Sequence, residues 1–363
     1  VYRCRAEQAC LTSAGTATPI TLRLRLHFMG PHAANVKPNG VPQMSKYGLK
    51  EAIDEHMPFI DEHLQKLNVP IFDRFMRAAY LFVDVAIIDS SYESKEELLK
   101  STAFIEGLIP LVNDWYWDRY GELAKNPTNR IYSGLITPYG HPVLVKIPAT
   151  TSRVEVPNET AWLTFPDCLS KNESIGDMAQ TKIDLDKLPP EEMDRLSTEF
   201  SEIVSMTRKI NLNLGSVGGI DKEAASMADG IWGHIEKSIV DILSFQEPQA
   251  SIGCWELHLA IEKTLKVYLK QIYGSWVFGH DLNKLSNKIN NHDASLDFSV
   301  IQLLPSDKDA INLRYSELVK NVSEAVDYYK KALRLIEKVT SKYERKYSIN
   351  NASFLLKMAP WAK

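Results

Sequence analysis

Hydrophobic positions fall at helical spacing over most of the chain, and breaks in that rhythm mark its blocks. In MPFIDEHLQKLNVPIFDRFMRAAYLFVDVAII, which starts at Met57, Pro58 and Pro70 punctuate helices and the run Ile71 to Ile88 is strongly apolar. SKEELLKSTAFIEGLIPLVNDWYWDRYGEL continues the pattern, with Ser94 placed to cap a helix whose first turn carries Glu96 and Glu97. Together these predict a helical region over residues 44–128. From Arg130 the period drops to two. IYSGLIT, VLVKI, RVEV and TAWLTF are short β-rich runs separated by PYGHP, PATTS and PNE, and they predict a small antiparallel sheet. With the loop that follows, this gives a β-rich region at 129–190.

The helical period then returns. Pro190 opens a helix in which Met193, Leu196, Phe200, Ile203 and Ile210 recur, a connecting helix at 191–222 that ends in the glycine-rich GSVGG. Beyond it Trp232, Ile235, Ile239 and Ile242 mark one helix, and Leu257, Ile261, Leu265, Tyr268 and Ile272 a second. Leu282, Leu285 and Ile289 mark a third, with Asp281 as its N-cap, and Val322 to Tyr343 a long fourth. Four such helices predict an antiparallel up-down bundle at 223–346, followed by a tail at 347–363. The expected fold is mainly α, α+β overall: an N-terminal helical region, a small antiparallel β insertion and a C-terminal helical bundle. Residues 1–43, rich in Ala, Thr, Pro and Gly, lack the order of a signal peptide and are expected to be a leader or appended segment.

Charge changes the picture locally more than globally. A net charge of −4 over 363 residues gives no overall basic field. Residues 45–128 hold 15 acidic and 9 basic side chains, a poor setting for phosphates. Residues 313–346 hold 9 basic and 5 acidic, and Lys331, Arg334, Lys338, Lys342 and Arg345 follow steps of three and four along one helix face. Such a stripe neutralises phosphates, or is a solvated face balanced by Glu337 and Glu344. The four cysteines, Cys4, Cys10, Cys168 and Cys254, form no CxxC pair, which argues against a zinc site or disulfide framework and fits a cytoplasmic location. No apolar run approaches the roughly 18 residues of a membrane helix, so no membrane partner is expected.

Several motifs mimic chemistry. The triplet DEH occurs at 54–56 and 61–63, but seven residues place the two histidines about 10 Å apart along a helix, too far for one metal, and the expected role is a solvated face. The aromatics of DWYWDRY are expected in a core. GSVGG follows a helix rather than a strand and lacks Gly-Lys-Ser/Thr, so it is no phosphate loop. No catalytic residue, metal or cofactor is expected from these features.

One stretch says more. His258, Glu262, Lys266 and Lys270 form an i, i+4 ladder, expected on the polar side of the second bundle helix. AIEKTLKVYL, then GHDLNKL, then NLRYSEL leading into SEAVDYYKKALRLIEKV, resembles the HEPN family (higher eukaryotes and prokaryotes nucleotide-binding) over the C-terminal third. Its carriers are Glu262, Lys263, Leu265, Lys266, His280, Asp281, Leu282, Arg314 and Tyr315. Many members of that family are metal-independent ribonucleases with an Arg followed a few residues later by His. Here Arg314 is followed by YSELVKNVSEA, without the histidine that general acid–base cleavage needs. Other members bind nucleotides or dimerise, often in defence or toxin–antitoxin systems. The resemblance therefore implies a non-catalytic nucleotide- or RNA-binding protein and a homodimer, with Glu262, Lys266, His280, Arg314, Lys331, Arg334, Lys338 and Lys342 as ligand-binding residues. A dimerising interaction module and a ribonuclease using His258 or His280 are the alternatives.

Overall fold

The structure, a computed structural model, describes residues 48–125, 131–215, 217 and 221–357. The expected leader and most of the glycine-rich turn lie outside them. The chain divides into two compact units, one within residues 1–127 and one from 128 to 359.

In the first unit, α1 (Leu49–Lys66) and α2 (Ile71–Val85) are followed by α3 (Lys95–Lys100) and by a π-helical turn, Ala103–Leu108, that runs into α4 (Ile109–Tyr120). Pro58 does not break α1. It lies on the exposed side, where the carbonyl of exposed Asp54 that its missing N–H leaves free meets water. Pro70 does separate α1 from α2, and the Ser94 hydroxyl accepts the Glu97 N–H as an N-cap. Ile53, Met57 and Leu64 of α1 pack with Phe82 of α2 and with Phe104, Val112 and Tyr116. In the second DEH, Glu62 and His63 are exposed as expected, but Asp61 is buried, pairs with Arg74 at 3.1 Å and accepts the hydroxyls of Tyr116 and Tyr120. Each of its partners comes from α2 or α4, so this carboxylate ties three helices together. Tyr116, from the aromatic run, is core as expected.

The second unit starts with the antiparallel hairpin of β1 (Ile131–Ile136) and β2 (Val143–Pro148). A separate sheet holds β3 (Thr151–Val156), β4 (Thr160–Thr164) and, from the far end of the chain, β5 (Ser353–Lys357), in the order β3-β4-β5. The single predicted sheet is thus two, and the predicted tail supplies a strand. A short α5 (Ile175–Met178) leads to α6 (Pro190–Leu214), α7 (Lys222–Ile242), α8 (Glu247–Tyr273), α9 (Leu282–Asn290), α10 (Asp307–Arg314) and α11 (Val322–Thr340).

One continuous core joins them. Leu135 and Val145 of the hairpin, Phe200 and Ile203 of α6, Ile235 of α7, Leu257 and Ile261 of α8 and Tyr329 and Ile336 of α11 all belong to it. Gly134 makes the junction possible, since a Cβ there would lie 2.9 Å from both Ile147 and Ile203. The helix at 190–214 is therefore a full wall of the helical body. His141, in the turn after β1, stacks its ring on Phe245 at 4.8 Å. The architecture is mainly α with a minor antiparallel β part, as the pattern predicts. Among the described residues no helix is long and apolar enough to cross a membrane.

Candidate functional site

α8 is the central helix of the second unit, and apolar residues such as Leu257, Ile261, Leu265 and Leu269 bury most of its circumference. One face is polar instead. Trp255, His258, Glu262 and Lys266 follow steps of three and four, so they line up along it. The ladder expected at a solvated surface lies under cover: His258 is 3% and Glu262 6% exposed. The connection after α8 and the helix α10 fold back over this face.

The fold-back can be followed residue by residue. Gly274 ends α8 in the left-handed conformation (φ 68°), and Lys270 donates to its carbonyl. The Lys270 ammonium also lies 5.4 Å over the Trp276 ring and 3.4 Å from Glu223 at the start of α7. Gly279, at φ 109°, makes the next bend, which a side chain would strain. His280 then meets Glu262, its Nδ1 lying 3.0 and 3.1 Å from the two carboxylate oxygens. Lys266 Nζ donates to the same carboxylate at 2.7 Å. Asp281 caps α9 by accepting the Asn283 and Lys284 N–H groups. Desolvation opposes its ionisation, but those bonds and the Lys284 ammonium outweigh it and hold the carboxyl below its usual range.

Beneath the turn, the His258 ring lies under the His280 backbone, and its buried Nδ1 has no protein partner. Burial pushes the His258 pKa below 6.5, against the pull of Glu262 and Asp307, so the ring is neutral at pH 7. Glu262 accepts at Nδ1 of His280, which in the neutral ring leaves the Nε2 lone pair facing out from a side chain that is 77% exposed. At the other end of the same face, Arg314 closes α10 with its guanidinium 4.8 Å over the Trp255 ring and 5.4 Å from that of Tyr315. Trp255 and Glu262, the two α8 residues that these exposed groups meet, are seven residues and so about 10 Å apart along the helix axis. Exposed Phe278, next to the Gly279 bend, and Ile311 and Tyr315, on and beside α10, add apolar surface.

The structure brings Glu262, Lys266 and His280 together and places Arg314 on the same face of α8. It sets Lys331, Arg334 and Lys338 of α11, and Lys342 just beyond it, apart from them and gives each an acid. Lys331 meets Asp327 at 2.6 Å, Arg334 meets Glu202 of α6 at 2.8 Å, and Lys338 and Lys342 lie 3.9 Å from Asp297 and Asp293. Arg334 also borders a groove of ≈ 380 Å³ between α6 and α11, walled by Arg195, Glu199 and Lys330. Glu199 accepts Thr137, Arg195 and Lys330 there, and although burial opposes ionisation, Lys330 and Thr137 hold its pKa low. Neither this network nor the Trp255–Arg314 pair is expected from the sequence pattern. The spacing of Trp255, His258 and Glu262 was the available signal for the latter, but without α10 nothing showed which residue would cover it. Among the described residues no group of His, Cys, Asp and Glu is placed to hold a metal.

Fold and site together define a two-unit, mainly helical protein with a polar, partly open cluster on one face of a central helix. No family model, curated protein or solved structure matches the chain.

Proposed function

We propose that the helical bundle at residues 223–346 is HEPN-like, that it forms a non-catalytic module of a cytoplasmic protein that binds a nucleotide or RNA along the open side of the α8 face, and that two copies of the chain associate. The observation that carries this is the pair of exposed groups at the ends of that face. His280 is oriented by Glu262, and Arg314 is layered on Trp255 and Tyr315. A guanidinium held over an indole ring is preset to meet a phosphate or the face of a base, and an oriented imidazole adds a directional hydrogen bond. The cations on and just after α11 contribute less, because neighbouring carboxylates already offset them.

Fluorescence anisotropy with labelled single-stranded RNA, and competition by ATP and GTP, tests it at low salt. His280→Ala and Arg314→Ala should each weaken binding about tenfold, the effect of losing roughly 1.4 kcal/mol of contact, with an unchanged melting temperature. Lys338→Ala and Lys342→Ala should change binding little. If RNA, ATP and GTP all fail to bind at millimolar concentration, the reading is wrong.

A second reading rests on the Glu262–His280 pair, since a carboxylate that fixes one nitrogen of a solvent-facing histidine is also the arrangement of a general base. The expected result is no RNA cleavage. Metal-independent cleavage that disappears in both His280→Ala and Glu262→Gln would replace the binding module with a ribonuclease.

A further inference from the structure

The three-stranded sheet treats its two edges differently. The edge strand β3 is defended: its ladder with β4 shifts register between Val154 and Val156, and its Arg153 and Glu155 form an ion pair. A bulge and charges are the usual means by which a free edge avoids pairing with another chain. The outer edge of β5 carries neither. Ser353, Phe354, Leu355 and Leu356 present one hydroxyl and three large apolar side chains, 40% to 49% exposed, and the only charge is Lys357 at the end. Among the described residues β5 has a strand on one side only.

The ladder fixes which backbone groups are free. The Phe165 N–H donates to the Ala352 carbonyl, and residue pairs then continue in step through Leu163↔Phe354 and Ala161↔Leu356. Antiparallel bonding alternates, so Phe354 and Leu356 turn their N–H and C=O groups toward β4, while Ser353, Leu355 and Lys357 turn theirs outward. That outward set is symmetric about Leu355.

We propose that β5 pairs antiparallel with β5 of a second copy of this chain, about a two-fold axis at Leu355. Leu355 faces its own copy as a hydrogen-bonded pair, and Ser353 faces Lys357 of the other chain. No like charges meet, because the two lysines lie at opposite ends of the new ladder. On one sheet face the Leu355 pair extends the row begun by Trp162. On the other, Phe354 meets Leu356 of the second copy and extends the rows begun by Leu163 and Ala161. The two three-stranded sheets become one sheet with a defended β3 at each rim. The contact lies outside the bundle helices and outside the α8 face, so it stands or falls independently of ligand binding.

Sedimentation equilibrium on the full chain tests it, with two variants. Leu355→Pro removes an N–H that points away from β4, so it blocks the partner and spares the fold. Leu355→Lys sets two ammonium groups opposite each other. Wild type should be dimeric at tens of micromolar, and both variants should weaken the dimer at least about tenfold. In a background with Cys4, Cys10 and Cys168 changed to Ser, Leu355→Cys should form a disulfide-linked dimer, because facing Cα atoms in such a pair lie about 5.5 Å apart. Ser353→Cys should not. A monomeric wild type, as when another segment of the same chain covers this edge, overturns the proposal. So does a dimer that survives both Leu355 variants, or equal cross-linking at 353.

Discussion

Two buried side chains set the sharpest expectations at the scale of single residues. Among the described residues Asp61 is the only acid paired with Arg74, and it takes two tyrosine hydroxyls as well. Asp61→Ala leaves a buried guanidinium without its counter-charge, which typically costs about 3–5 kcal/mol. A urea titration of the variant should show a lower midpoint with an unchanged slope. His258 acts through pH. Its folded pKa lies below its unfolded value of 6.5, so its contribution to stability is complete above that pH and lost as pH falls further. Glu262, Asp307 and His280 are the titratable groups acting on it. The denaturation midpoint should therefore drop between pH 7 and 5, by at most about 1.4 kcal/mol per pH unit from this one group. His258→Gln should flatten that slope, and a variant as steep as wild type would remove His258 as its cause.

Individual elements show what a one-dimensional pattern can carry. α6, α7, α9 and α11 were legible because each has one apolar stripe facing one core, the condition under which periodicity reports structure. Asp281 and Ser94 were legible as caps for a similarly local reason. α8 was legible as a helix but not as a site. A central helix buries polar residues too, and whether His258 and Glu262 meet water depends on a fold-back set by Gly279 and α10. α10 left little trace, since its eight residues bury only Ala310 and Leu313. The partition of the β region was hidden because β5 lies 189 residues beyond the strand position it joins. Packing of the hairpin on α6 has its own check. Gly134→Ala drives a methyl into Ile147 and Ile203, and overpacking of this kind costs about 1–3 kcal/mol. A thermal melt of that variant should shift down, whereas Gly233→Ala, which meets nothing within 4 Å, should not.

For the whole molecule, division into two units with separate cores predicts that they unfold separately. Differential scanning calorimetry should resolve two transitions, with Asp61→Ala lowering one and Gly134→Ala the other. A single transition shifted by both would mean that the units share their stability. The second unit also has a timetable written into it. β3 and β4 leave the ribosome early, but the strand that completes their sheet follows 189 residues later. At about 5–20 residues per second of synthesis, β4 waits about 10–40 s with its pairing edge uncovered. During that interval the nascent chain offers any neighbour on the same polysome the place reserved for its own last strand.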